Sequence, residues 1–415
     1  MTAHSLADRK GMVVTKLKSV DLFAGAGGLA LGLHNVGFES LGLVEFNRHA
    51  CDTLRRNTMN GLVIPAWPVF ERDVRGFDYM REIGITSDID LVAGGAPCQP
   101  FSMAGKHAGD GDTRNMFPAV FDAVRTLRPK AIMLENVRGL RRASFRPYFD
   151  YILLQLAMPH VAPLADESWM EHKTRLTSKK TQASTQGFDE TYDIHEQLLT
   201  SADFGTPQKR ERVVMVAFRR DLNITWTYPK SAYSEDRLLY EQYITGEYWS
   251  KRSLPQRAAP ARMTNRIQRL ALIPPDGLPW RTLRDAISSL PEPVVGKSLD
   301  GWDFHVGVPN ARVYKGHTGN DLDKPAKTIK AGDHGNPGGE HILLKDDGTV
   351  RYMTVRECAR VQDFPDSYRF AGSRTEAMRQ IGNAVPVRMA EAIARSIHQT
   401  LSNLTARMPV SVAAD

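Results

Sequence analysis

The sequence predicts an α/β fold with an open sheet, followed by a second domain that is dominated by loops. An apolar strand at 18–23 runs into a glycine-rich turn and then into a helical segment at 29–34, as at the opening of a nucleotide-binding α/β unit. From about Trp226 the alternation of strands and helices stops, while prolines and glycines become frequent. Further apolar runs with the length of buried strands lie at 39–44, 63–70, 89–93, 131–134 and 213–218.

Composition limits the classes of protein to consider. The chain has 415 residues, a formal net charge of +7 and a pI of about 9.2, which allows several domains and favours a polyanionic partner, although a solvated basic surface gives the same balance. Its three cysteines are far apart and odd in number, which argues against a disulfide scaffold and for a reducing cytosol. No cysteine pair has the spacing of metal ligands, so no metal is predicted. No apolar run approaches a membrane span, and the first 18 residues lack the apolar core of a signal peptide.

The turn after the first strand has the glycines of a nucleotide-binding loop. Gly25, Gly27 and Ala30 fit the pattern G-x-G-x-x-G/A. Such glycines let a ligand approach the backbone, and the following helix offers unpaired N–H groups at its N-terminus. Glycine turns that bind nothing also match this pattern, so the prediction depends on what the neighbouring strands carry.

Acidic and aromatic residues follow the second and third predicted strands. Glu45 comes about 20 residues after the glycine turn, where a carboxylate can hold both ribose hydroxyls of a nucleotide. Phe46 is placed to stack on an adenine face, and Asp73 to accept a hydrogen bond from an adenine amino group. The alternatives are a surface glutamate, a core phenylalanine and, for Asp73, a helix N-cap or a surface acid.

A cysteine stands at the centre of a stiff loop after the fourth predicted strand. Residues 94–102 are GGAPCQPFS, in which two glycines and two prolines stop the strand and fix a tight loop around Cys98. Ligand chemistry in an open α/β sheet lies at such carboxyl ends of strands. A free cysteine is more often a small buried hydrophobe, but polar and glycine-rich neighbours favour a nucleophile. The polar segment 104–114 is predicted to close over a substrate.

Two further stretches place polar side chains beside buried strands. Glu135 ends an apolar strand, where a carboxylate is costly unless it is paired or used. Carboxyl ends of parallel strands share one edge of a sheet, so Glu135 can meet Cys98. Gln208, Arg210 and Arg212 lie on one face of a strand and indicate an anion or base contact. A salt-bridged structural acid and a strand end that reaches solvent are the alternatives.

Three other segments carry weaker signals. Residues 156–190 mix prolines, charges and a Ser/Thr/Gln run, which indicates an inserted surface loop. Residues 251–275 contain six cations and no acid, a candidate phosphate-binding patch for which a solvated helix face is the alternative. Cys358 lies among apolar neighbours in a helical stretch and is interpreted as structural.

Six motifs, in this order, resemble those of the C5-cytosine DNA methyltransferases of bacterial restriction–modification systems. They are DLFAGAGG at 21–28, GGAPCQPFS at 94–102, ENV at 135–137, QKRER at 208–212, RECAR at 356–360 and GNAVP at 382–386. The resemblance implies a doubly wound, Rossmann-like catalytic domain that binds S-adenosylmethionine. It also implies a smaller target-recognition domain, double-stranded DNA in the cleft between the two, and a C-terminal helix that returns to pack beside the first strand.

The same resemblance implies roles for individual residues. Cys98 would add to C6 of a flipped-out cytosine, Glu135 would engage N3 and the exocyclic amine, and Arg212 would contact O2. Arg210 and Gln208 resemble supports of the catalytic loop. The cofactor shell would comprise Phe23, Gly25, Gly27, Glu45, Phe46, Asp73, Val74, Pro97, Met116, Asn383 and Val385. The DNA contacts would be Ser102, Lys106, Arg114 and Thr328.

The domain boundaries and the rival functions complete the prediction. The expected divisions are 17–225 for the first part of the catalytic domain, 226–350 for target recognition, 351–381 for a hinge and 382–415 for the C-terminal helix. The rivals are a tRNA cytosine methyltransferase, a nicotinamide or flavin oxidoreductase and an inactive DNA-binding protein. The second domain lacks the Cys-Phe-Thr motif of the tRNA enzymes, and an oxidoreductase leaves Glu135 unexplained. A monomer in a bacterial cytoplasm, separate from any partner endonuclease, is expected.

Overall fold

The computed structural model describes residues 16–59, 61, 66–85, 88–97, 115–183, 191–316, 318–332 and 339–407. Its first half alternates strands and helices. The strands are β1 (Lys18–Leu22), β2 (Glu39–Glu45), β3 (Val69–Glu71), β4 (Leu91–Gly94), β5 (Ala131–Val137), β6 (Tyr192–Thr200) and β7 (Glu211–Arg219). The helices are α1 (Gly28–Asn35), α2 (Arg48–Met59), α3 (Tyr79–Ile83), α4 (Phe117–Leu127), α5 (Arg146–Ala157) and α6 (Trp169–Ala183).

The second half has short strands and ends in three helices. The strands are β8 (Tyr233–Ser234), β9 (Leu278–Pro279), β10 (Asn320–Asp321), β11 (Ile342–Leu344) and β12 (Val350–Tyr352). The helices are α7 (Glu235–Tyr243), α8 (Glu247–Ser250), α9 (Thr264–Leu272), α10 (Leu283–Ile287), α11 (Val355–Val361), α12 (Arg374–Asn383) and α13 (Val387–Arg407).

The first seven strands form one sheet in the order β3-β2-β1-β4-β5-β7-β6. Strands β1 to β5 run parallel, and β7 lies antiparallel between β5 and β6. Of the strand predicted over 63–70, residues 66–68 are not part of β3, which begins at Val69, directly after Pro68, whose missing N–H cannot join a ladder. Residues 63–65 lie outside the described residues. The carboxyl ends of the parallel strands share one edge, and the strand order reverses between β1 and β4, where open α/β sheets bind ligands. The predicted α/β fold class is confirmed.

Helices cover both faces of this sheet. On β5, Ile132 and Leu134 point into a core formed with α4 and α5. The alternating residues Ala131 and Met133 point into a second core, formed with α1 and α13. Apolar residues on both sides of a strand are what a parallel sheet buried on two faces requires. Because both faces of the sheet are buried, polar side chains are accommodated at the ends of the strands, and the chemistry of the site is expected there.

Helix α6 corrects the interpretation of 156–190 as a surface loop. Leu176 and His172 are buried, and the Tyr151 hydroxyl of α5 lies 3.1 Å from His172 Nδ1. The hydroxyls of Thr174 and Thr177 bond to carbonyl oxygens four residues earlier, within the helix. Such residues are weak helix formers, and tertiary packing rather than propensity stabilises this helix, so its sequence resembles a loop.

The region between β7 and α11 contains only small sheets among its described residues. Strands β8 and β9 pair with each other, and β10, β11 and β12 form a second sheet. A local core of Leu238, Tyr248, Trp249 and Trp280 holds α7 and α8 together. Between 301 and 332 the described residues are loop apart from β10, as the glycine-rich composition of that stretch predicts.

Helix α13 returns from the end of the chain to pack on α1. Leu29 and Leu33 of α1 share a core with Met389 of α13. The two helices approach closely at Gly32, where an added Cβ would lie 2.6 Å from the Ala390 Cβ. The end of the chain thus reinforces the helix that follows the glycine turn. None of the helices in the described ranges is long and apolar enough to cross a membrane.

Candidate active site

An ion pair between Glu135 and Arg212 lies at the carboxyl end of β5. The two side chains are only 9% and 11% exposed, and Arg212 Nε lies 2.6 Å from Glu135 Oε1. The antiparallel pairing of β5 with β7 sets Val137 opposite Arg212, so the guanidinium can reach back to the carboxylate two residues away. Opposite charges in so little solvent attract each other more strongly than a surface pair. The strand end therefore holds a carboxylate in one fixed position.

The loop that follows β4 runs beside this ion pair. An added Cβ on Gly95 would lie 3.4 Å from Glu135 Oε2, and the Asn136 amide donates to the Ala96 carbonyl oxygen at 3.3 Å. Glu135 thus presents one oxygen to Arg212 and the other to the loop that continues through the exposed Pro97 into the cysteine. The predicted residues Cys98, Ser102, Lys106 and Arg114, with the segment 104–114, lie outside the described residues.

Glu45 holds the glycine turn between β1 and α1. Gly25 and Gly27 have φ angles of 55° and 81°, which favour residues without a Cβ. Glu45 accepts the Gly25 N–H at 2.8 Å and the Asn47 N–H at 2.6 Å. Beneath it, the Cys51 thiol donates to the Glu45 carbonyl oxygen at 3.3 Å. Burial and the neighbouring carboxylate raise the pKa of this thiol to about 12, which disfavours the thiolate form that a nucleophile needs.

Phe46 and Asp73 lie at the ends of the two strands beyond β1. Phe46 is 75% exposed, so its ring is not part of the core and is free to stack. Asp73 pairs with Arg75 at 2.6 Å, and this hydrogen-bonded guanidinium lowers the pKa of the carboxyl. Val74, next in the chain, is buried in the core below. An aromatic ring and a carboxylate therefore extend the site along the sheet edge.

The other predicted cofactor residues come from separate segments. Phe23 has a φ of 53°, which is unusual for a residue with a Cβ and turns the chain at the end of β1. Met116 is the N-cap residue of α4 and is half-buried, and Asn383 is exposed at the end of α12. The Val385 carbonyl oxygen would lie 2.3 Å from a Cβ on Gly28, so this segment touches the first residue of α1.

Gln208 and Arg210 point inward, unlike Arg212. Both are buried, and their side chains hydrogen-bond to the main chain of Ile329 and, for Arg210, of Gly382. The strand β7 begins only at the residue after Arg210, so the alternation expected for a strand does not extend to these two. This arrangement differs from the single anion or base contact that the sequence pattern indicated. Arg212 pairs with Glu135 instead.

The second region supplies one predicted contact residue and corrects another prediction. Thr328 is half-buried, and its hydroxyl donates to the Lys209 carbonyl oxygen at 3.1 Å, just before β7. The candidate phosphate patch at 251–275 is largely neutralised, because four of its cations have acidic partners outside that stretch. The pairs are Lys251 with Glu247, Arg252 with Asp285, Arg257 with Asp323 and Asp346, and Arg266 with Glu235 and Asp236.

Tyr368 is a supporting residue that the sequence did not reveal. Its hydroxyl donates to the Ala26 carbonyl oxygen at 2.6 Å, inside the glycine turn. The ring is fully buried, and burial raises the pKa of the hydroxyl well above its usual range. A Cβ on Gly27 would come within 2.8 Å of this hydroxyl. No local pattern marks such a residue, since its partner lies 342 positions away.

No metal centre was found in the ranges that the structure covers: nowhere there do three His, Cys, Asp or Glu side chains lie close enough to bind one ion. Cys358 is buried in the core with a raised thiol pKa, caused mainly by burial. A structural role suits it.

Known proteins resemble this chain over nearly its whole length. The family model of C-5 cytosine-specific DNA methylases matches residues 17–158 and 169–399. The type II methyltransferase M.Eco47II of Escherichia coli is 31% identical over 392 residues, which cover 94% of this chain and 80% of that protein. The type II methyltransferase M.NgoMIV of Neisseria gonorrhoeae is 31% identical over 388 residues, covering 92% and 97%. An E. coli protein encoded within a prophage and assigned as a DNA modification methyltransferase shares the fold, with a TM-score of 0.57 and 20% identity over 93% of this chain and 99% of its own.

Proposed function

Because the chain belongs to the family of C-5 cytosine-specific DNA methylases, we propose that it methylates C5 of one cytosine in a short duplex DNA sequence, with S-adenosylmethionine as the donor. It is a DNA cytosine-5-methyltransferase. The names of its relatives support a role as the modification enzyme of a type II restriction–modification system. The observation that carries the proposal is the Glu135–Arg212 ion pair beside the loop that leads to Cys98.

The proposed reaction starts with Cys98, because an aromatic carbon is a poor nucleophile. The Cys98 thiolate forms a bond to C6 of cytosine, and the electron pair of the C5–C6 double bond moves to C5. S-adenosylmethionine, when bound, would supply an electrophilic methyl group to that carbon, with cleavage of its sulfur–methyl bond and S-adenosylhomocysteine as the leaving group. The C5 proton is then lost to a base, and elimination breaks the bond between C6 and sulfur. The ring regains its aromaticity and the thiolate is released.

Glu135 has the position to stabilise the charge that develops on the base. One carboxylate oxygen is held by Arg212, and the other faces the loop at Gly95, where an extruded base would enter. In the proposal this second oxygen engages N3 and the exocyclic amine, and Arg212 contacts O2. A carboxylate that is already oriented and largely desolvated pays little reorganisation cost during the reaction.

The residues around the glycine turn fit S-adenosylmethionine. Among the described residues, an added Cβ on Gly25 would meet the Phe23 carbonyl oxygen alone, at 3.9 Å, so this part of the chain leaves room for a ligand over the turn. Glu45 would hold the ribose hydroxyls, and the exposed Phe46 ring would stack on the adenine. Asp73 would accept a hydrogen bond from the adenine amino group. The remaining predicted shell residues, Gly27, Val74, Pro97, Met116, Asn383 and Val385, would enclose the cofactor.

Duplex DNA would contact both parts of the chain. The target cytosine must leave the base stack before Cys98 can reach C6, at a cost of a few kcal/mol. We assign Ser102, Lys106 and Arg114 to holding the flipped base and its backbone. Residues 226–350, with Thr328, are assigned to sequence recognition, 351–381 to a hinge and 382–415 to the C-terminal helix. The enzyme is proposed to act as a monomer in the cytoplasm, separately from any endonuclease.

Bisulfite sequencing of a bacterial genome that lacks cytosine methylation tests the proposal. We expect expression of the wild-type chain to methylate cytosines in one short motif, and the Cys98→Ala variant to leave that motif unmethylated. Cys358→Ala is the matched control, since it removes a buried structural thiol. Methylation that persists in Cys98→Ala would contradict the mechanism. Unmodified DNA together with newly modified tRNA cytosines would contradict the DNA substrate.

A further inference from the structure

The segment 326–328, which carries Thr328, is attached directly to the chain that enters β7. The Ala326 N–H donates to the Pro207 carbonyl oxygen at 2.9 Å, and the Lys209 N–H donates to the Ala326 carbonyl oxygen at 2.8 Å. The Thr328 hydroxyl adds a bond to the Lys209 carbonyl oxygen at 3.1 Å. A displacement of Thr328 would therefore also displace the residues just before β7, the strand that carries Arg212.

A second segment, the end of α12, packs against residues 330–331, just after Thr328. A Cβ on Gly382 would lie only 2.2 Å from the Ala331 nitrogen, so the two main chains are in direct contact. Arg210 lies beside this contact and is 1% exposed. Its guanidinium donates to the Ile329 carbonyl oxygen at 2.8 Å and to the Gly382 carbonyl oxygen at 2.7 Å. One planar cation thus ties the two segments together.

Gln208 provides a parallel connection through Gln362. Gln208 Oε1 accepts the Ile329 N–H at 2.8 Å, and its Nε2 donates to Gln362 Oε1 at 2.9 Å. Gln362 Nε2 donates in turn to the Ile381 carbonyl oxygen at 2.7 Å. All of these side chains are buried, where an unmade hydrogen bond is expensive. Neither segment can shift alone without breaking this network.

We propose that Arg210 is a positioning residue that couples the binding of target DNA to the binding of the methyl donor. The inference rests on the proposed function, which places Thr328 at the DNA and Asn383 in the cofactor shell. Thr328 precedes Ile329 and Asn383 follows Gly382, so each lies next to a carbonyl group that Arg210 holds. A ligand that restricts one segment also restricts the other. The second ligand then pays a smaller cost in conformational entropy when it binds. Each ligand then tightens the other by the same factor.

Calorimetry of S-adenosylhomocysteine, which binds without reacting, measures this coupling. Its dissociation constant is determined with and without sheared, unmethylated genomic DNA, for the wild-type chain and for Arg210→Lys. Lysine keeps the charge but lacks the planar fork that reaches two carbonyl groups. We expect DNA to tighten binding to the wild type, and Arg210→Lys to reduce that tightening by roughly twofold to thirtyfold, the range for residues in a coupling network.

Arg356→Lys is the matched control. Arg356 is also 1% exposed, and it donates to the carbonyl oxygens of Asp303, Pro365 and Tyr368 at 3.1, 3.3 and 3.0 Å. None of these three residues is assigned to the cofactor shell or to DNA. Because the Tyr368 hydroxyl supports the glycine turn, the control is judged by the ratio of the dissociation constants with and without DNA, and not by the affinity for S-adenosylhomocysteine itself. The substitution removes the same kind of buried contact, so we expect a similar loss of stability and an unchanged coupling factor.

The outcomes separate this inference from the proposed function. Coupling that is absent in the wild type, retained in Arg210→Lys, or lost equally in Arg356→Lys would overturn the role of Arg210. A wild-type chain that fails to bind S-adenosylhomocysteine would instead refute the proposed cofactor. If Arg210→Lys does not fold, hydrogen exchange of the wild type decides. DNA alone should slow amide exchange across 381–385, and exchange that DNA leaves unchanged would overturn the inference.

Discussion

Replacing Glu135 with Gln removes the charge that balances Arg212 while keeping the size of the side chain. The pair is at 2.6 Å and about one-tenth exposed. With charge centres about 4 Å apart and an effective dielectric constant of about 20, the attraction is about 4 kcal/mol. Because breaking a buried pair leaves one desolvated charge, we expect Glu135→Gln and Arg212→Met each to lower the free energy of unfolding by about 2–4 kcal/mol, somewhat below the full buried range because solvent reaches both groups.

The double variant separates the stability of the pair from its chemistry. Without either charge no isolated ion is left, so the double variant should be more stable than the sum of the two single effects predicts, by about 1–3 kcal/mol. Methyl transfer should behave differently. All three variants should lose at least about 100-fold in kcat, since a positioned acid–base group contributes that much or more.

Urea denaturation followed by tryptophan fluorescence measures stability, and tritium transfer from labelled S-adenosylmethionine to DNA measures activity. Glu211→Gln is the control, because Glu211 pairs with Arg138 at the same distance of 2.6 Å but at side-chain exposures of 35% and 69%. It should cost under about 1 kcal/mol and leave the rate unchanged. The reasoning fails if Glu135→Gln destabilises the chain no more than Glu211→Gln does, or if it keeps the wild-type rate.

Two further predictions concern the glycine turn and the strand before it. Gly28→Ala places a Cβ 2.3 Å from the Val385 carbonyl oxygen, so it should lower the free energy of unfolding by about 1–3 kcal/mol and raise the KM for S-adenosylmethionine. Gly32→Ala, which places a Cβ 2.6 Å from the Ala390 Cβ, should lower stability and leave the KM for S-adenosylmethionine unchanged. Equal KM values for S-adenosylmethionine in the two variants would count against Val385 as a cofactor residue. Burial raises the pKa of Asp21 to about 8, so the stability that its protonated form contributes is complete below about pH 4 and is lost as the pH rises to about 8. Urea titrations measure the free energy of unfolding at pH 5 and at pH 9. Between these two pH values the Asp21→Asn variant should lose less of it than the wild type, and an equal loss would refute the raised pKa of Asp21.

Much of the site was predictable because its residues follow from strand geometry. An apolar run that ends in an acid, as at Glu135, must place that acid at the edge of a buried sheet. A different rule, the spacing of about 20 residues after the glycine turn, pointed to Glu45 at the end of β2. For Phe46 the sequence left a stacking ring and a core phenylalanine open, and the exposure of the ring excludes the core. The helix α6 was missed because its polar residues are indistinguishable from those of a loop until α5 buries one side of it.

The sequence by itself determined the α/β class and the polar residues at the strand ends, since these depend on local periodicity, while the family followed from the resemblance of its motifs. The tertiary structure alone decided which distant groups each long side chain meets. Arg210 appeared to share a face with Arg212, yet it bonds to carbonyl groups 119 and 172 positions away. The cations at 251–275 were a candidate phosphate-binding patch or a solvated helix face, yet most have acidic partners from elsewhere in the chain. Local sequence restricts the backbone, but the partners of a side chain depend on which segments the fold brings together.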